Sequence, residues 1–212
     1  MPLLESLFLN VKDRRYSHPA TTADDFPRLR TVGLDAADHG NWLPIFQLTA
    51  LTFEDVDSAN YYLPILREAV NLVTLYLIDC ETDVPPQSSV KLDRLEMLVL
   101  GGSYVEGVAS QIFEAFTFPA LHTLHISAQL LGKDPKGLLT PFITRSGCKI
   151  QELLVTGVCD FFEESFHAAF PSIPNITFDA EYDWYTEEQR ELQRGLNCLN
   201  IKCRPRSKYR TF

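Results

Sequence analysis

The chain has 212 residues, 45% of them hydrophobic, a formal charge of −9 and five cysteines. That length allows one domain or a short repeat array. No apolar run approaches the roughly 18 to 20 residues that span a bilayer, and Met1 leads into patterned sequence rather than a secretory signal, so a soluble intracellular protein, cytoplasmic or nuclear, without a membrane partner is expected.

Charge and cysteine usage narrow the classes further. Residues 202–210, KCRPRSKYR, carry five positive charges, which takes the rest of the chain from −9 to −14. An acidic body argues against nucleic acid as a partner, because phosphate binding needs clustered Lys and Arg. Cys80, Cys148, Cys159, Cys198 and Cys203 are odd in number and lack zinc-type spacing, which suits reduced thiols. Asn175-Ile176-Thr177 is formally a glycosylation acceptor but falls inside a predicted strand.

In chain order the elements begin with a strand. The phrase LxxLxL, with an aliphatic or aromatic residue at positions one, four and six, reads Leu4/Leu7/Leu9, then Leu29/Val32/Leu34, Leu48/Leu51/Phe53, Leu72/Leu75/Leu77, Leu95/Leu98/Leu100, Leu121/Leu124/Ile126, Ile150/Leu153/Val155 and Ile173/Ile176/Phe178. First positions are 25, 19, 24, 23, 26, 29 and 23 residues apart, within or close to the range of about 20 to 29 for leucine-rich repeats. One repeat cannot bury its apolar side alone, so eight copies must stack, each strand beside the next. The predicted fold class is α/β: a leucine-rich-repeat solenoid over residues 1–181, with a curved parallel sheet on the concave side and helices and loops on the convex side. The full repeat continues with Asn or Cys three residues after the last leucine, and only Cys80 fits. Lys12, Ala37, Val56, Ser103, Gln129, Val158 and Glu181 stand there in the other copies, so the array should be irregular, its turns held by apolar packing and local loops.

Between the strands lie the return segments. Residues 16–26 and 35–47 are polar, with Pro or Gly, and read as loops. Asp57 and Ser58 can start a helix whose buried face is Tyr61, Tyr62, Ile65, Leu66 and Ala69, with Pro64 in its first turns, where the missing amide costs little. Residues 104–116 place Val105, Val108, Ile112, Phe113 and Phe116 on one helical face. Residues 138–146, stopped by Gly147, and 161–170 give two shorter helices. Thr186 and Gln189 form a capping box opening a charged helix with Leu192, Leu196 and Leu199 on one side, read as a C-terminal cap over 182–201. Residues 202–212 make a basic tail, expected to be solvated and disordered. No matching cap precedes Leu4.

Phrases such as FPRLRTVGL, VNLVTLYLIDC, LDRLEMLVLGG and FPALHTLHIS resemble the leucine-rich-repeat regions of F-box proteins, especially the large fungal sets with irregular repeats. The resemblance covers most of residues 1–180. It implies that the repeats hold a substrate for a ubiquitin ligase, while a separate F-box docks onto the adaptor of a cullin. Met1 already lies in a repeat, so an adaptor contact is expected only with an F-box upstream.

Strand alternation sends positions one, four and six to the core and positions three, five and seven to the other face. None of those 24 outward positions is Lys or Arg, although the chain has 19. Tyr76, Ile78, Met97 and Val99, continued by His125 and Leu154, form an apolar centre. Asp35 and Glu54 flank it towards one end, Glu152 and Asp179 towards the other. An exposed apolar patch marks an interface, so the expected partner is a protein segment with an apolar centre and basic flanks.

Catalysis, cofactors and metals are not expected. His122 and His125 are three apart on a strand and fall on opposite faces, His18, His39 and His167 are isolated, and no GxSxG, phosphate-binding glycine loop or HExxH is present. Gly101-Gly102-Ser103, between a strand and a helix, is weak grounds for a phosphate site in an enzyme. A deep pocket joining Cys159, His167 and an acid would favour an enzyme. A structural or vestigial repeat fragment without a dedicated ligand is the other alternative.

Overall fold

The computed structural model describes residues 4–10, 24–35, 43–81, 89–102, 108–157 and 163–180. Each LxxLxL phrase produces a five-residue strand from its third to its seventh position: β1 Ser6–Asn10, β2 Thr31–Asp35, β3 Ala50–Glu54, β4 Thr74–Ile78, β6 Met97–Gly101, β8 Thr123–Ser127, β9 Glu152–Thr156 and β10 Asn175–Asp179. They form one eight-stranded sheet in chain order, and its pairings are parallel. Two more strands, β5 Val90–Lys91 and β7 Phe116–Thr117, pair with each other, an element the strand pattern did not announce.

The register aligns all eight phrases in phase. Position four runs Leu7, Val32, Leu51, Leu75, Leu98, Leu124, Leu153, Ile176, each opposite the next. Six of these, from Val32 to Leu153, are fully buried. The reason is geometric: with a side-chain period of two, a slip of one residue would turn a strand's whole leucine set away from the core.

Two backbone devices repeat with the strands. The amide of the first position donates to the carbonyl three residues earlier, as in Leu29 to Phe26 (3.1 Å), Leu48 to Ile45 (3.1 Å), Leu72 to Ala69 (3.0 Å), Leu121 to Phe118 (3.2 Å) and Ile173 to Phe170 (3.1 Å). Each accepting residue is itself apolar, so this turn enters the strand with two core side chains. At the other end, the eighth position takes a left-handed conformation in Asp55 (φ 53°), Asp79 (φ 48°), Gly102 (φ 116°) and Gly157 (φ 81°). Asp and Gly are residue types that visit this region readily.

The helices lie against the core face. Helix α1, Ala59–Glu68, starts at Ser58, whose hydroxyl accepts from the Asn60 amide (3.3 Å). Tyr62, Ile65, Leu66 and Ala69 are buried as expected and Tyr61 is partly so. Pro64 sits mid-helix, not in the first turns: it lies on the exposed side, four residues after exposed Asn60, so the carbonyl that loses its helical bond faces water. Helix α2, Val108–Ala115, and helix α5, Glu163–Ala169, occupy the expected segments. A four-residue helix α3, Ala128–Leu131, leaves β8 directly. Helix α4, Pro135–Ser146, begins earlier than expected because the Asp134 carboxylate accepts from the Gly137 amide (2.8 Å) and proline suits the first helical position; Gly147 (φ 66°) ends it. The expected cap over 182–201 and tail over 202–212 lie outside the described residues. No helix among the described residues is long and apolar enough to cross a membrane.

Candidate functional site: the sheet face away from the helices

Register builds this face as three rows. Position three gives Ser6, Thr31, Ala50, Thr74, Met97, Thr123, Glu152 and Asn175, and position five gives Phe8, Gly33, Thr52, Tyr76, Val99, His125, Leu154 and Thr177. In position seven, Asp35 stands opposite Glu54, and Glu54 opposite Ile78. Of Asp35 the backbone alone is described.

The apolar strip is not the open patch expected from alternation. Ile78 is 2% exposed, Val99 1%, His125 8% and Leu154 9%, while Tyr76 and Met97 keep intermediate exposure. Neighbouring strands stand about 4.8 Å apart, so a short side chain between two long ones loses its water. Val99 lies in this way between Tyr76 and His125. Tyr76 and Met97 are diagonal neighbours across β4 and β6, close enough for one ligand side chain to touch both.

The flanking acids also differ from a simple charged rim. Glu152 is exposed, but its Oε1 lies 3.7 Å from His125 Nε2. Burial pushes the His125 pKa down, and the Glu152 charge offsets part of that shift. His122 has separate partners, with Nε2 3.6 Å from the Glu96 carboxylate and Nδ1 3.1 Å from Thr123 Oγ1. Among the described residues no group of three or more His, Cys, Asp or Glu is placed to hold a metal. Cys159 is outside them, and His167 is exposed on α5, its ring 6.2 Å from that of Phe178.

The Gly101-Gly102 turn is occupied by charge of the wrong sign for an anion. A methyl added at Gly102 would collide with the Asp79 carboxylate, so that group lies against the turn where a phosphate would sit. Cys80, by contrast, holds backbone groups of neighbouring strands together. It is fully buried, and its Sγ lies 3.3 Å from the carbonyls of both Phe53 and Ile78, tying β3 to β4. Desolvation pushes its thiol up to about 12.

Two features went unread in the sequence. The residue just before the phrase often carries a polar side chain that ties consecutive copies: Gln47 Nε2 donates to the carbonyls of Phe26 (2.6 Å) and Leu29 (3.1 Å), Asn71 Nδ2 to that of Phe46 (2.6 Å), and Arg94 Nη1 to Asn71 Oδ1 (2.8 Å). The signal was legible in FPRL, IFQL, AVNL and LDRL. Beside this ladder, Phe46 and Val70 are exposed large apolar side chains, 54% and 59%; among the described residues Leu4, at 41%, is the other.

Searches of family models, curated proteins and solved structures return no significant match to this chain.

Proposed function

We propose that the chain is a leucine-rich-repeat solenoid acting as a protein-protein interaction module through the sheet face away from its helices. The observation carrying this reading is the in-phase register of eight parallel strands in chain order, with the Cys80 thiol in the bridging role of the repeat's Asn or Cys. Burial narrows the contact to Tyr76 and Met97, with Glu54 and Asp179 as the acidic flanks and a partner segment of apolar centre and basic flanks as its complement. A tyrosine and a methionine, amphipathic and adaptable, suit an anchor site. By its resemblance to F-box repeat regions the module would present a ubiquitin-ligase substrate, with a cullin adaptor engaged where an F-box accompanies the repeats.

A second reading has an observation of its own. Four of the six strip residues are covered within the chain, which favours a structural repeat fragment without a dedicated ligand. The phosphate-site reading loses its support to the Asp79 carboxylate at Gly102. Affinity purification with wild-type chain and with Tyr76→Ala/Met97→Ala separates the first two. Specific partners that disappear in the double variant, with its circular dichroism unchanged, support the interaction module; an identical set of captured proteins sinks it.

A further inference from the structure

At the β1–β2 end of the sheet an open recess of about 530 Å³ is lined by Glu5, Ser6, Arg28, Arg30 and Thr31. Ser6 and Thr31 are opposite each other in the register, so two hydroxyls stand side by side on the same face. Two guanidiniums share the recess with them, in a chain whose overall charge is −9. Arg30 Nη1 donates to the carbonyls of Pro27 (3.3 Å) and Leu29 (2.9 Å), which orients the guanidinium and leaves its Nη2–Nε edge as the fork for a ligand. The opposing group is Glu5, whose Oε1 is 3.9 Å from Arg28 Nη1 with both side chains more than half exposed. That separation exceeds the roughly 2.7–2.9 Å of a charge-assisted hydrogen bond, so the pair is loose.

We propose that this recess binds a phosphate dianion, free or as a monoester, held by the forks of Arg28 and Arg30 and by the hydroxyls of Ser6 and Thr31. A planar carboxylate satisfies one fork. A tetrahedral group with two charges presents enough oxygens to engage two forks and two hydroxyls together. Glu5 is the carboxylate it displaces from Arg28. The site lies three strands from Met97 in sheet order and stands whether or not the Tyr76–Met97 surface binds a protein.

Isothermal titration calorimetry of the full chain tests it, in chloride buffer at constant ionic strength, with inorganic phosphate, O-phosphoserine and acetate as the probes. Phosphate or phosphoserine binds saturably at one site and acetate about tenfold more weakly or not at all. Arg30→Lys, which keeps the charge and loses the fork, weakens binding about tenfold. Glu5→Gln removes the competitor and tightens binding several-fold, a gain that a damaged fold does not produce. Preference for O-phosphoserine assigns the anion to a modified side chain, and preference for inorganic phosphate assigns it to the free ion. Equal affinity for acetate and phosphate, or an affinity unmoved by Glu5→Gln, overturns the proposal.

Discussion

Val99→Ala discriminates between an open strip and a closed one. If Val99 faced a partner, shortening it would weaken binding and leave folding almost untouched. The structure instead buries it to 1% exposure between Tyr76 and His125, on the face opposite the leucine rows. Removing one buried methyl typically costs about 0.5–1.5 kcal/mol, so removing two costs about 1–3 kcal/mol. For a chain of this size each kcal/mol moves the midpoint by about 2–4 °C, so a fall of roughly 4–8 °C is expected for a loss of about 2 kcal/mol. Urea unfolding followed by circular dichroism measures it directly, a lower midpoint at unchanged slope marking a true stability loss. A Val99→Ala chain within about 0.5 kcal/mol of wild type, the range of surface substitutions, would refute the closed strip and restore the open patch.

Cys80 gives a pH prediction. Its folded pKa is raised from 9.0 to about 12, so its contribution to stability is complete below pH 9, where the thiol is neutral in both states, and is lost between about pH 9 and 12 as only the unfolded chain ionises. The slope is about 1.4 kcal/mol per pH unit. Wild type should therefore lose stability faster than Cys80→Ala from pH 9 to 10.5, and parallel pH profiles would contradict this. Gly33→Ala should destabilise the chain by about 1–3 kcal/mol, because the Phe8 ring lies across the place a methyl would take. Phe8→Ala in the same chain should recover part of that loss, and strictly additive costs in a double-mutant cycle would show that the ring is not the obstacle.

How much of this was readable in advance follows from which interactions are local. The eight strands were legible because leucine spacing reports both the strand period and its phase, and the parallel pairing then placed position four of every copy in one row. Helix α1 was legible through Ser58 and its apolar face, while the start of α4 was missed although Asp134-Pro135 is a local signal. The β5–β7 pair left no trace, since strands of two residues have no periodicity to read. Pro64 was misplaced because a helix accepts an internal proline when the lost bond faces water, which depends on what covers that side.

The candidate site divides along the same line. Alternation correctly assigned Tyr76, Met97, Val99, His125 and Leu154 to the face away from the core, because the direction of a side chain is a property of the strand itself. Whether each of them meets solvent is not. Exposure depends on the neighbours that the register sets about 4.8 Å away on either side, and on their lengths: Tyr76 and His125 enclose Val99, and Glu152 reaches His125 across a strand boundary. The Arg28–Arg30 recess is likewise a product of assembly, since Ser6 and Thr31 are 25 residues apart in the chain and meet only when β1 pairs with β2. Periodicity along one strand is written in the chain; crowding and convergence between strands exist only once the strands have met.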